Sequence, residues 1–142
     1  MVKPLKTGLK AGQGPPPGFH WNVDYLSAAR DDALGFLNDE QYAHAVDLVR
    51  ALASEFDPTH PETVSVDAVE DFFELRDKGG VLGKINLRVF FTLDRTARTI
   101  LILASIKKEA DGPTPIWAKV RVRNRLRRFR DGAYRTPHSP ES

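Results

Sequence analysis

Residues 86–108 read NLRVFFTLDRTARTILILASIKK, and how this stretch is read decides the fold. Its first nine residues alternate: Leu87, Val89, Phe91 and Leu93 fall on one side, Asn86, Arg88, Phe90 and Thr92 on the other, the period of a strand. Arg95, Thr96 and Ala97 follow as a turn. Residues 98–108 are then almost continuously apolar until Lys107 and Lys108, which predicts a central strand covered on both faces. Two strands joined by so short a turn pair antiparallel.

Upstream, VEDFFELRD (69–77) predicts another strand, ending at Lys78-Gly79-Gly80. The three strands make an antiparallel meander. Further back, FHWNVDYL (19–26) has the aromatic, alternating pattern of a first strand, with Trp21, Val23 and Tyr25 on one side. From Ser27 the period lengthens, and SAARDDALGFLNDEQ predicts a short helix with Ala29, Ala33, Phe36 and Leu37 inward. Asn38 or Asp39 serves as the next N-cap. A second helix, to about Glu55, puts Tyr42, Ala45, Val46, Val49, Leu52, Ala53 and Phe56 on one stripe. The DPTHPET segment (57–63) is built of helix breakers.

Downstream, Thr114 is a candidate cap and Pro115 a first helical residue for a basic helix over 115–130. Here the pattern is ambiguous. Ile116, Ala118, Val120 and Val122 also alternate as in a strand, and on a helical wheel the apolar residues form two separate stripes. The expected order is strand, helix, helix, three strands, helix. It describes an α+β domain over residues 19–131, with the helices packed on an antiparallel or mixed sheet of about four strands. Residues 1–18, with four glycines and four prolines, and residues 132–142 are expected to be tails.

Composition excludes several functions. The 142 residues include no cysteine, so disulfides, thiolate metal sites and cysteine nucleophiles are ruled out. His20, His44, His60 and His138 are scattered without metal-ligand spacing, and no nucleophile elbow is present. No apolar run approaches the ~20 residues of a membrane span, and the basic N-terminus lacks the apolar core of a secretory signal. A cytoplasmic protein is expected.

Charge is more informative. The net charge of +2 divides into +3 over residues 1–18, −11 over 19–75 and +10 over 76–142. Either the halves neutralise each other across the fold, or the C-terminal half presents a polyanion-binding face. Seven of the residues in 119–130 are basic and none is acidic. Like charges at helical spacing repel, and arginine suits phosphate through paired hydrogen bonds. Lys119, Arg121, Arg123, Arg125, Arg127 and Arg128 are therefore candidates for binding a polyanion or an acidic partner, with Lys84 joining them if its loop folds over; the resemblance described next makes them RNA-binding candidates. For Arg76 and Arg88 the competing expectation is a structural salt bridge with Glu74. For Lys107 and Lys108 it is a charged end that blunts an aliphatic strand.

Four motifs in order carry a family resemblance: Phe73-Glu74-Leu75-Arg76, Leu87-Arg88-Val89-Phe90-Phe91, the aliphatic strand ending in Lys107-Lys108, and Thr114-Pro115 opening a basic helix. Together they resemble the RelE/ParE toxin superfamily, nearest its phage-derived, HigB-like branch. The likeness in element order covers about residues 20–130, with the specific motifs confined to 73–118. It implies the toxin of a type II toxin–antitoxin pair, held in check by a cognate antitoxin. Such a toxin inhibits translation by cutting messenger RNA on the ribosome as an endoribonuclease, without metal or other cofactor. It implies catalytic roles for Arg88, Lys107, Lys108 and Arg76, with Arg88 on the phosphate. The chain departs from the pattern at Ala104-Ser105-Ile106, where many relatives have His-Gly-Phe or similar, and at Trp117, where some have tyrosine. A gyrase-inhibiting, ParE-like binder and a catalytically inactive nucleic-acid-binding module are the alternative readings.

Overall fold

A computed structural model describes residues 15–77, 86–108 and 112–132. The chain runs β1 (Asn22–Tyr25), α1 (Ser27–Phe36), α2 (Asp39–Ala53), β2 (Ser65–Ala68), β3 (Phe73–Arg76), β4 (Asn86–Asp94), β5 (Thr99–Lys108) and α3 (Ile116–Arg130). The strands form one five-stranded mixed sheet in the order β1-β5-β4-β3-β2. β1 runs parallel to β5, and every other neighbouring pair is antiparallel. Among the described residues no helix is long and apolar enough to cross a membrane.

The 86–108 hairpin is the centre of this sheet, as its pattern predicts. Residues 100–106 of β5 are all buried, which fits a strand flanked by β1 and β4. The pairs Phe90–Ala104 and Phe91–Ile102 leave Leu103 as an extra residue, a bulge that bends β5. Phe90 and Phe91 point to opposite faces and neither is exposed, so the sheet is covered on both sides. Phe91 stacks on Phe73, while Phe90 meets Phe72 edge-on.

Three expectations change. The single strand foreseen over 69–77 shortens to β3, and β2, which was not foreseen, precedes it at Ser65–Ala68, because Val69–Phe72 turns sharply between them: the Val69 amide donates to the Phe72 carbonyl. That turn leaves Glu70 and Asp71 outside the sheet and gives five strands instead of about four. Phe56 leaves the α2 stripe, because the helix ends at Ala53 and the ring is 78% exposed. Thr114 does not cap α3. Pro115 holds the N-cap position, and the Thr114 hydroxyl donates elsewhere.

The local signals around α2 work as read. Asn38 accepts from the Gln41 amide at 2.8 Å, and the Gln41 side chain accepts from the Asn38 amide at 2.9 Å. This reciprocal pair satisfies two orphan donors. Asp39 and Glu40 in the first turn and Arg50 in the last complement the helix dipole. The ambiguous 116–130 segment is helical. Its two apolar stripes differ in role: Ala118, Val122 and Leu126 are buried, whereas Ile116, Trp117 and Val120 remain exposed.

Candidate nucleic-acid interface

β1 pairs only with residues 99–102, so among the described residues the outer edge of β5 beyond Ile102 runs on without a strand neighbour. Side chains close part of this edge. Asp32 on α1 accepts from the Ser105 amide at 3.1 Å. Arg125 on α3 donates to the Leu103 carbonyl at 3.0 Å and grips Asp32 through both terminal nitrogens, at 2.7 and 3.2 Å. One carboxylate and one guanidinium thus tie α1, β5 and α3 together where the sheet lacks a strand.

Beside this clasp lies a cleft of about 320 Å³, lined by Asp32, Phe36, Ser105, Ile106, Lys107, Trp117 and Arg121. Lys107, at the end of β5, is exposed. Trp117, on the first turn of α3, is half-exposed, and the Arg121 guanidinium lies over its ring, 5.0 Å from the centroid. One turn of helix sets that i, i+4 stack. The cleft therefore combines a partly open aromatic face, an apolar wall at Phe36 and two cations. Asp32 contributes little free negative charge, because Arg125 neutralises it.

The four residues expected to form a catalytic group do not meet on one surface. Arg88 is wholly buried, and its Nη1 donates to Glu74 Oε2 at 3.2 Å. Glu74, equally buried, also accepts from Arg76 Nε at 3.0 Å and from the Thr114 hydroxyl at 3.1 Å. The salt-bridge expectation is thus the one realised for these arginines, and Arg76 binds Asp67 as well. The register explains the separation. Arg76, Arg88 and Ile106 are lateral partners and share a face, and Lys108, two residues beyond Ile106, falls on it too. Lys107 points the opposite way, to the cleft.

The basic helix is also less free than its composition suggests. Arg123 makes a paired contact with Glu70, at 3.0 and 2.6 Å, and Arg130 reaches Asp71 at 2.7 Å. The hydrogen bond from Arg123 holds the Glu70 carboxyl below its ordinary pKa, and Arg130 does the same for Asp71. Arg127 donates to Asn124. Lys119 is half-buried, and Arg121, Arg127 and Arg128 have exposed side chains. Lys84 falls outside the described residues. The acidic front half therefore neutralises part of α3, while Lys107 and Arg121 keep a cationic rim around Trp117.

Sequence reading missed Asp32 and Phe36 as members of this site, because nothing in their spacing links α1 to the end of β5. Only the parallel placement of β1 beside β5 brings them there. Neither the scan against protein-family models nor the search of curated proteins finds a match for this chain.

Proposed function

We propose that the cleft at the end of β5 binds single-stranded RNA, and that the chain is a RelE/HigB-like toxin that cuts messenger RNA on the ribosome. The observation that carries this reading is the Trp117–Arg121 stack beside Lys107. A half-exposed indole offers a base a stacking surface, and two cations beside it suit the adjoining phosphates. Phe36 supplies the apolar wall that excludes water from one side of the base.

The chemistry that fits such a site is internal transesterification. The ribose 2′-oxygen bonds to the neighbouring phosphorus as the bond to the 5′-oxygen breaks, leaving a cyclic phosphate and a 5′-hydroxyl. Lys107 and Arg121 stabilise the charge that develops on phosphate, solvent water takes the proton that the 2′-hydroxyl gives up, and the Lys107 ammonium gives one to the departing 5′-oxygen. Arg88 acts from beneath the surface: with Glu74 it fixes β3 and β4, and so supports Lys108. The partner expected of such a toxin is an acidic antitoxin segment with apolar residues. Lys119, Arg121 and Arg127 would take its charges, and Ile116 and Val120 its apolar side chains. The setting is the cytoplasm.

One observation favours a second reading, an RNA-binding module that does not cut: Arg88 is sequestered by Glu74, and among the described residues neither histidine nor tyrosine lines the cleft. Translation of a defined message in vitro, with breaks mapped by primer extension, separates the two. The toxin reading expects ribosome-dependent cuts that disappear in Lys107→Ala. Arrest of translation without cuts selects the binding module, and no effect on translation removes both.

A further inference from the structure

The outer edge of β5 is sealed at two points and open beyond them. Arg125 takes the Leu103 carbonyl, and Asp32 takes the Ser105 amide. Alternate residues of a strand turn their main-chain polar groups to the same side. The Ser105 carbonyl and both polar groups of Lys107 therefore point outward with the Ser105 amide. The neighbouring ladder gives the same answer independently. The Asp77 amide donates to the Leu87 carbonyl, which turns Leu87 toward β3 and leaves its β5 partner, Lys107, facing away from β4. Among the described residues no strand pairs with this edge, and it borders the cleft that Ser105, Ile106 and Lys107 line. From the Asp32 clasp to the end of β5 at Lys108 the edge is too short to seat an added strand, whose hold comes from a row of main-chain bonds. What fits is short and flat. Phe36 from α1 and Trp117 from α3 flank the opening, and Arg121 lies over the Trp117 ring.

We infer that this edge reads the Watson–Crick face of an unpaired nucleobase: the Ser105 carbonyl accepts from an exocyclic amino group, and the Lys107 amide donates to the ring nitrogen beside it. Adenine and cytosine carry that donor and acceptor side by side. In the same seating guanine and uracil set a carbonyl oxygen against the Ser105 carbonyl and an N–H against the Lys107 amide, two repulsive contacts. A base already paired in a duplex has neither group to offer. The ligand class is thus an adenine or cytosine base, in a free nucleotide or within a single strand. The reader is main chain, so no side-chain motif announces it. This inference deepens the RNA reading of the cleft and rests on a base entering it, but not on cutting.

The test varies one base and one amide. Pentaribonucleotides of uracil with a single variable central base are titrated into the full chain without ribosomes, followed by fluorescence anisotropy. Adenine and cytosine at the centre are expected to bind about fivefold or more tighter than guanine and uracil. Purine, which lacks the amino group, and 1-deazaadenine, which lacks the ring nitrogen, each lose that gain. Lys107→Pro removes the outward N–H without touching the ladder, a place where a strand tolerates proline, and Lys107→Ala controls for the lost side chain. The penalty for 1-deazaadenine persists in Lys107→Ala and vanishes in Lys107→Pro. A penalty that survives in Lys107→Pro overturns the inference. Should that variant fail to fold, the analogues on wild type decide, and equal affinity for adenine and purine overturns it. Equal affinity for all four bases, with Trp117 quenched, also overturns it but leaves the cleft reading standing, whereas no binding of any oligonucleotide removes both. Displacement of the adenine oligonucleotide by adenosine monophosphate assigns a free nucleotide, its absence a base within RNA, and either result keeps the site.

Discussion

At the scale of single residues, the account turns on Arg88 and Glu74. An arginine in the middle of the alternating strand 86–94 reads from sequence either as a surface cation or as half of an ion pair. What decides is what covers its face. Thr114, brought over that face by the approach to α3, donates to Glu74, and Arg88 is left with no exposure at all. No local pattern around residue 88 encodes a residue 26 positions away. Breaking such a pair leaves an uncompensated buried charge, which costs about 3–5 kcal/mol. Glu74→Ala is therefore expected to destabilise the protein by that order in urea denaturation. Replacing both partners, as in Glu74→Leu/Arg88→Met, is expected to recover most of the loss, because no charge is then stranded. A double variant no more stable than the single would mean that the pair itself holds the strands.

At the scale of elements, the hairpin 86–108 and helix α2 were readable because every local signal agreed. Alternation, turn and aliphatic run coincide in the first, and cap, acidic first turn and apolar stripe in the second. Loss of the Asn38 cap in Asn38→Ala is expected to cost about 1 kcal/mol, seen as a lower urea midpoint with unchanged slope. The segment 69–77 misled because Phe72-Phe73 suggests an unbroken strand, whereas Glu70-Asp71 occupies a turn whose carboxylates hold α3 through Arg123 and Arg130. α3 was ambiguous because its second apolar stripe, Ile116, Trp117 and Val120, is not core at all. Since Glu70 and Asp71 titrate below their ordinary range when folded, their contribution is complete above the unfolded pKa, about 4. It is lost as pH falls through the lower folded values. The acid limb of the stability–pH profile is therefore expected to flatten in Glu70→Gln/Asp71→Asn. An unchanged limb would show that these surface pairs contribute nothing.

At the scale of the molecule, the division of charge between front and back halves resolves into both of the outcomes it allowed. Arg123, Arg125 and Arg130 are bound by carboxylates from residues 32–71, while Lys107 and Arg121 keep their charge at the cleft. The fold class was legible because strand and helix periods are local. The candidate site was legible only in part, through Lys107 and Arg121; Trp117 stood out only as a departure from the family's tyrosine. Its other wall, Phe36 and Asp32, depends on β1 joining β5 in parallel, a long-range pairing that periodicity does not carry.

The central claim is that a nucleic-acid strand lies across Trp117, between Lys107 and Arg121. Of the two tryptophans, Trp21 is buried, so Trp21→Phe leaves Trp117 as the sole fluorescent reporter. We would titrate this protein with a short single-stranded RNA over a range of salt concentrations, alone and with Lys107→Ala or Arg121→Ala added. The account predicts quenching of Trp117 as a base stacks on it, with a salt dependence that each lysine or arginine removal reduces by about one counterion. Replacing Trp117 itself, followed by fluorescence anisotropy of labelled RNA, should weaken binding by about 1–3 kcal/mol. RNA binding that leaves Trp117 fluorescence unchanged and is indifferent to Lys107 and Arg121 would contradict it.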